Sequence, residues 1–455
     1  MDVTELKKYR TKLYTDLYTG VIPDRFPVQD GVYLEYLIQY AGKDLMTTQY
    51  QYSVEKLIDL YEKGMEIFRG DTLSAGFARN TSAMMFQKSI RNVMGSCGMI
   101  QHPETYIMED YEYDTLIMNP HEFLFEKGSP RYNMAFDTDP LMRVINFAKY
   151  VLAASDQSKT FAAAGKYIVE KYGLFSPPTG SCVNQWVPFD FIADSLRGFK
   201  NTTFDIRRCP DKVLQAMEAL MPYLIWAGQN NVTTPLGHNM IMTHMPTFLK
   251  TKDFEKFYWP TFNKICHICA ERGQAMSIFC EDDWTRYIDY LEELPQGTRL
   301  YMEYGNPQLF KDRLGKKFIL SGFYPITHLK TETKQSCIDK AKELIDILAP
   351  GGNYYFSFDK SALMLSDINP ENYVAVLEYA VENGKYSNAG QLVTTAKKED
   401  SIQNFSHLYP EFKSKYIQSY DDFISDYPLT DEKVGVYLKG IYDKYTRQVS
   451  ALIPN

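Results

Sequence analysis

From about residue 220 the chain repeats one alternation, and that rhythm limits the fold more than anything else in the sequence. "DKVLQAMEALMPYLIWAGQ" has helical spacing and leads to the strand-like "NVTTPLG". "DFEKFYWPTFNKICHICAERG" leads to "QAMSIF", "TRYIDYLEEL" to "TRLYMEY", and "NPQLFKDRLG" to "KKFILSG". "TKQSCIDKAKELIDILAPGG" leads to "NYYFSF", and "NPENYVAVLEYAVENG" closes the series. Short apolar runs alternating with amphipathic helices make βα units, whose strands pair in parallel. Five such units in succession predict an α/β chain built as a (β/α)8 TIM barrel rather than an open sheet. "DTLSAGFA", near residues 71–78, is a candidate early strand.

Three regions follow from this rhythm. Residues 1–65 read as an N-terminal helical extension around the extended segment "IPDRFPVQDGVYLEYLIQYAG". Residues 66–386 form the barrel, and 387–455 a C-terminal helical tail packed on its exterior. No low-complexity linker or internal repeat separates them.

Composition excludes several classes. A 455-residue chain that is 45% hydrophobic can bury a large core. Its formal charge of −8 and lack of a basic run exclude a nucleic-acid surface. No apolar run approaches a membrane span, and "MDVTELKKYRTKLYTDL" lacks the apolar centre of a signal peptide. Seven scattered cysteines, an odd number, suit reduced thiols, so a cytoplasmic protein is expected.

"KICHICAERGQAMSIFCEDDW" offers two metal-like clusters. In the first, Cys266 and Cys269 share a helical face with Phe262 and Ile265, which marks them as core, while His267 turns away from that face. The second, Cys280-Glu281-Asp282-Asp283, follows a strand directly. Barrels build their active sites at the C-terminal ends of the strands, and carboxylates crowded there need a cation or a proton between them. The same rule selects Glu303 and Asn306 after "RLYMEY", His328 after "KKFILSG", and Asp359 with Lys360 after "NYYFSF". Glu281, Glu303 and His328 come from consecutive units and make a candidate zinc site with an open position. His238 and His244, in "PLGHNMIMTHMP", are further candidates for the mouth. His244, Asn306, Tyr324 and Asp359 are candidate substrate contacts. Tyr304, Phe323 and Phe358 could flank an aromatic ring. His102, His121 and His407 carry no assigned role.

Several segments resemble the uroporphyrinogen decarboxylase superfamily and its corrinoid-dependent methyltransferase branch. They are "IPDRFPV", "EDYEYDTLIMNPHEFL", "FIADSLRGFKNTTFDIRRCPDKVLQAMEAL", "FCEDDWTRYIDYLEELPQG", "SGFYPITHL" and "LAPGGNYYFSFDKSALMLSDINPENYVAVLEYAVENGKY". The resemblance spans roughly residues 20–387 and implies the same barrel. The chain lacks the paired arginines with which the decarboxylases hold substrate carboxylates. It also lacks the His-x-Cys after the fifth strand of the thiol-methylating members. The remaining branch resembles the methyltransferase components of anaerobic O-demethylases. That implies transfer of a methyl group from a methoxylated, aromatic substrate to the cobalt of a corrinoid (cobalamin) on a partner protein. Zinc with oxygen and imidazole ligands is the harder Lewis acid such ether cleavage calls for. The fourth ligand stays open among Asp359, Cys280, substrate oxygen and water. A lyase of the decarboxylase kind and a non-catalytic barrel that binds a corrinoid protein are the alternatives.

Overall fold

A computed structural model describes residues 1–73, 81–393, 403–425 and 432–451, with the side chains of 432, 450 and 451 outside the description. Its central feature is a parallel sheet of five strands in sequence order. These are β1 (Cys182–Asn184), β2 (His238–Thr243), β3 (Met276–Asp283), β4 (Arg299–Tyr304) and β5 (Ile319–Gly322). Helices connect the strands, among them Pro210–Ala227, Trp259–Glu271 and Pro307–Leu314. The protein is therefore a mixed α/β fold, as the alternation required.

Isolated parallel bridges continue the pairing past β5. Leu320 pairs with Tyr354, Tyr324 with Phe358, Val28 with Phe356 and Val32 with Ala362. Asp71 N–H donates to the Val28 carbonyl at 2.8 Å, Phe175 N–H donates to the Asp71 carbonyl at 2.8 Å, and Thr72 bridges Phe175. Most of the candidate strand "DTLSAGFA" (residues 74–78) lies outside the described residues.

The strand positions show why these residues pair. Met276, Ser277, Ile278 and Cys280 are all buried, although consecutive residues of a strand face opposite sides. Cover on both faces is the normal state of a parallel sheet. Exposure then rises through Glu281, Asp282 and Asp283, so β3 ends by emerging at its C-terminal edge.

Two expectations need correction. "NVTTPLG" is a loop, and β2 begins only at His238. Pro235 cannot donate to a ladder. Gly237 lies against the preceding chain, where a Cβ would sit 2.2 Å from the Ser181 carbonyl oxygen. In addition, the rhythm gave no sign of the 33-residue helix Pro140–Tyr172 inside the presumed barrel region. Asp139 caps its start through the Met142 N–H, and Gly173, at φ 60°, ends it. It packs on Val54–Gly64 and Thr81–Gln87.

The N-terminal region holds helices Val3–Tyr18, Leu34–Tyr40 and Val54–Gly64. The C-terminal region includes Tyr420–Ile424 and Glu432–Ala451. Its Phe405 and Phe412 pack against the main core. Among the described residues no helix is long and apolar enough to cross a membrane.

Candidate active site at the strand ends

Sheet register brings the site together. Thr243 lies beside Cys280, Cys280 beside Met302, and Met302 beside Gly322. The next residue of each strand is therefore level with its neighbours: His244, Glu281, Glu303 and Phe323. Three of these four carry functional groups, on adjacent strands, at the edge where β3 emerges. The β3–β4 register slips between Cys280 and Asp283, and Asp282 has φ 60°. This irregularity turns the Asp282 N–H onto Glu303 Oε2 at 2.8 Å. Bulges of this kind re-aim side chains at strand ends.

His244 Nδ1 is 2.6 Å from Asp194 Oδ2, and its Nε2 is 3.8 Å from Glu281 Oε2. Asp194 comes from the helical turn after β1. Asp190, one turn earlier, is fully buried; it accepts from Met245 N–H at 2.9 Å and Tyr258 O–H at 2.7 Å. These bonds fix the loop that carries His244. Burial works against a charged His244 ring, but the Asp194 hydrogen bond and the charges of Asp194, Asp190 and Glu281 prevail, and its pKa is pushed up to about 9. Burial likewise raises Glu281; His244 opposes the shift, and Glu303, Asp194 and Asp282 add to it. Burial also raises Asp190, with Asp194 adding to the effect.

Lys360 Nζ donates to Glu303 Oε1 at 2.8 Å. Its neighbour Asp359 takes the Ile326 and Lys360 N–H groups on one oxygen, each at 2.8 Å. Burial lifts Asp359 to about 6 despite those bonds. The assembled group is thus Asp194, His244, Glu281, Glu303 and Lys360, with Asp359 behind it.

Other expected residues stand elsewhere. His328 opens a short helix beyond the rim, its Nε2 3.3 Å from Ser336 Oγ, and does not join Glu281 and Glu303. It lies four positions past Tyr324, the last residue bridged to the neighbouring chain segment, so it overshoots the level at which the glutamates stand. Tyr324 is fully buried and donates to the Cys337 carbonyl at 3.0 Å, leaving no surface for a substrate. Asn306 caps Pro307–Leu314 through the Leu309 N–H. Phe323 and Phe358 are buried, whereas Tyr304 is 64% exposed at the rim. Cys280 is fully buried, which pushes its thiol up and keeps it out of the group. His238 starts β2, at the opposite end from the rim, with Nδ1 3.6 Å from Cys182 Sγ. Cys266 and Cys269 are core residues; His267 is buried too, its Nε2 3.1 Å from the Glu293 carbonyl.

Among the described residues no set of three His, Cys, Asp or Glu side chains is disposed to hold a metal ion. Zinc ligands at about 2.0–2.2 Å lie roughly 3.4 Å apart around a tetrahedron, close to the 3.8 Å between His244 Nε2 and Glu281 Oε2. A metal-binding histidine commonly gives its other nitrogen to a carboxylate, as His244 does to Asp194. Glu303 is the next oxygen donor by register, although Lys360 holds it here. Two donors, His244 and Glu281, thus stand at a spacing that suits the ion, and a third is not in place among the described residues. A cavity of about 1210 Å³ between Trp226, Arg272 and the C-terminal region shares no residue with this group.

Sequence reasoning missed Asp190 and Asp194. Their spacing of four in "FDFIADSLRG" puts both on one helical face, and that was the available signal. The chain matches no protein-family model and no curated protein.

Proposed function

We propose that the chain is a (β/α)8 barrel whose strand-end group demethylates a methoxylated aromatic substrate, passing the methyl group to a corrinoid brought by a partner protein. The barrel is supported by eight chain segments that follow one another around the pairing described above, from 28–32 through 71–72, 175–184 and β2 to β5, to 354–358. The corrinoid and the methyl donor rest on the sequence resemblance. The observation that carries the reaction site is His244, backed by Asp194 and facing Glu281 at the end of neighbouring strands.

His244, Glu281 and Glu303 are the proposed zinc ligands, with His244 in the place first given to His328. Bound there, zinc would supply Lewis acidity to an ether oxygen. The chain's own groups do the rest. Asp194 fixes the ring so that Nε2 faces the reacting space. Glu303 keeps the Lys360 ammonium at the same rim, where it can neutralise charge on a departing phenolate oxygen.

The Lys360–Glu303 pair favours a second reading, a metal-free lyase, because it already places a cation among the carboxylates. Zinc content separates the two. Wild-type protein loaded with zinc and desalted should retain about one ion; Glu281→Gln and His244→Gln should lose it, and His328→Gln should keep it. Retention equal in all four proteins removes these ligands. No zinc in any of them leaves the lyase.

A further inference from the structure

Exposed apolar side chains gather on the N-terminal half of helix Pro140–Tyr172. Leu141 is 70% exposed there and Leu152 65%, with Met142, Val144 and Ile145 also open to solvent. Leu141, Val144, Ala148 and Leu152 recur at spacings of three and four, so they form one exposed stripe. Two elements packed on the same helix add Met85 and Phe86, from Thr81–Gln87, and Met134, from the turn Met134–Phe136.

Beneath them lies a small core of its own, built from Ala83, Phe136 and Tyr150. Phe147 and Val151 are only partly buried against it. A core left open on one side resembles a permanent interface cut in half. A large apolar side chain offers on the order of 100 Å², so the eight exposed ones present roughly 450 Å² in each copy. At the roughly 60% apolar share usual in such contacts, that corresponds to about 750 Å² per partner, close to the ~800 Å² of a stable interface. A transient partner leaves its docking face in water between encounters. So much apolar surface suits a neighbour that stays.

We propose that this face pairs with itself in a second copy of the chain, the two helices running antiparallel about a twofold axis at Ala148. The small side chain at the axis lets the helices approach closely, and spacings of three and four suit a crossing angle of about 20°. Residues equally far from position 148 in opposite directions then come level. Val144 of one copy meets Leu152 of the other. Lys159, held only loosely by Asp156 at 3.8 Å, comes near the exposed Asp137 of the other copy. The contact is therefore complementary in charge as well as apolar.

The test is sedimentation equilibrium of the full chain at micromolar concentration. Wild type should have twice the 52.7 kDa chain mass. Val144→Glu with Leu152→Glu places acids on both sides of the axis and should raise the dimer Kd at least about a hundred-fold. Unchanged near-ultraviolet circular dichroism would report that this variant is folded, since both positions are exposed. Lys159→Asp and Asp137→Lys should each weaken the dimer, and the two together should restore it. Ala148→Cys should form a disulfide joining two copies at position 148 under mild oxidation, identified by peptide mass spectrometry. Tyr437→Ser, on the exposed apolar side of Glu432–Ala451, should leave the dimer intact. A monomeric wild type overturns the proposal, and one that floats with phosphatidylglycerol vesicles gives the face to a membrane instead. A dimer indifferent to Val144→Glu with Leu152→Glu, or lost in Tyr437→Ser, places the contact elsewhere and overturns it too.

Discussion

Asp71 offers the sharpest test of how the strand frame is held. Its carboxylate is fully buried and takes four donors: Arg25 Nη2 at 2.6 Å, Arg25 Nη1 at 2.8 Å, Val28 N–H at 2.9 Å and Arg10 Nε at 3.2 Å. Asp71→Asn keeps the shape, removes the charge, and turns an N–H2 group toward donors. Arg25, whose side chain is 8% exposed, is left without its counter-ion. Removing one member of a buried pair costs about 3–5 kcal/mol, mostly from the stranded partner. Unfolding entropy near 2.1 cal/mol/K per residue, over 455 residues, is about 1 kcal/mol/K. The melting temperature should therefore fall by about 3–5 °C in calorimetry. The urea midpoint should fall with it at unchanged slope. Glu66→Gln breaks the exposed Lys63–Glu66 pair and should leave both unchanged. Replacing the ion pair with Arg25→Met and Asp71→Leu should recover part of the loss. A shift below about 1 °C for Asp71→Asn would refute the reasoning, because it would mean that water or a rearranged partner satisfies the arginines as well as Asp71 does.

Two further outcomes are expected. Asp194→Asn removes the carboxylate behind His244 and should weaken zinc binding about 10–100-fold in competition with a chromogenic chelator; unchanged affinity would exclude His244 as a ligand supported in this way. Asp30 is buried, and burial outweighs the N–H groups of Arg69 and Gly70 and the Tyr373 hydroxyl, lifting its pKa from an ordinary 3.8 to about 7. Folding thus takes up a proton. The resulting stability is present below about pH 4 and is lost as the pH rises through 7. Urea titrations should show Asp30→Asn gaining on wild type over that window, and parallel curves would contradict it.

Part of this architecture was legible because period and punctuation agreed. "RLYMEY" coincides with β4, and "NPQLFKDRLG" opens at an asparagine cap followed by proline, the expected start of Pro307–Leu314. Glu281 and Glu303 were singled out for following apolar strand-like runs, and the β3–β4 register does set them level. His244 was visible only as a candidate, since misreading "NVTTPLG" as the strand obscured which histidine followed it. Asp194 left only its spacing from Asp190 as a signal, for a different reason. It is joined to His244 by a contact between segments distant in sequence, and it lies outside the repeating part of the chain. His328 follows β5, but a count of residues cannot show that its ring lies against Ser336 on the short helix beyond the strand end.

The charge balance of the rim connects these observations. Asp194, Glu281 and Glu303 meet His244 and Lys360 in one place, and each cation is in contact with one of the acids. Lys360 also feels Glu281, and Glu281 feels Glu303, so the pairs are not independent. A divalent ion between His244 and Glu281 would compete with Lys360 for Glu303. Lys360→Met therefore separates the two roles given to that ammonium. If it is a competitor for Glu303, its loss should tighten zinc binding; if it neutralises the leaving oxygen, its loss should slow methyl transfer at saturating zinc. Tighter zinc with slower transfer is the outcome this rim requires. Weaker zinc binding would show instead that Lys360 positions Glu303 for the metal.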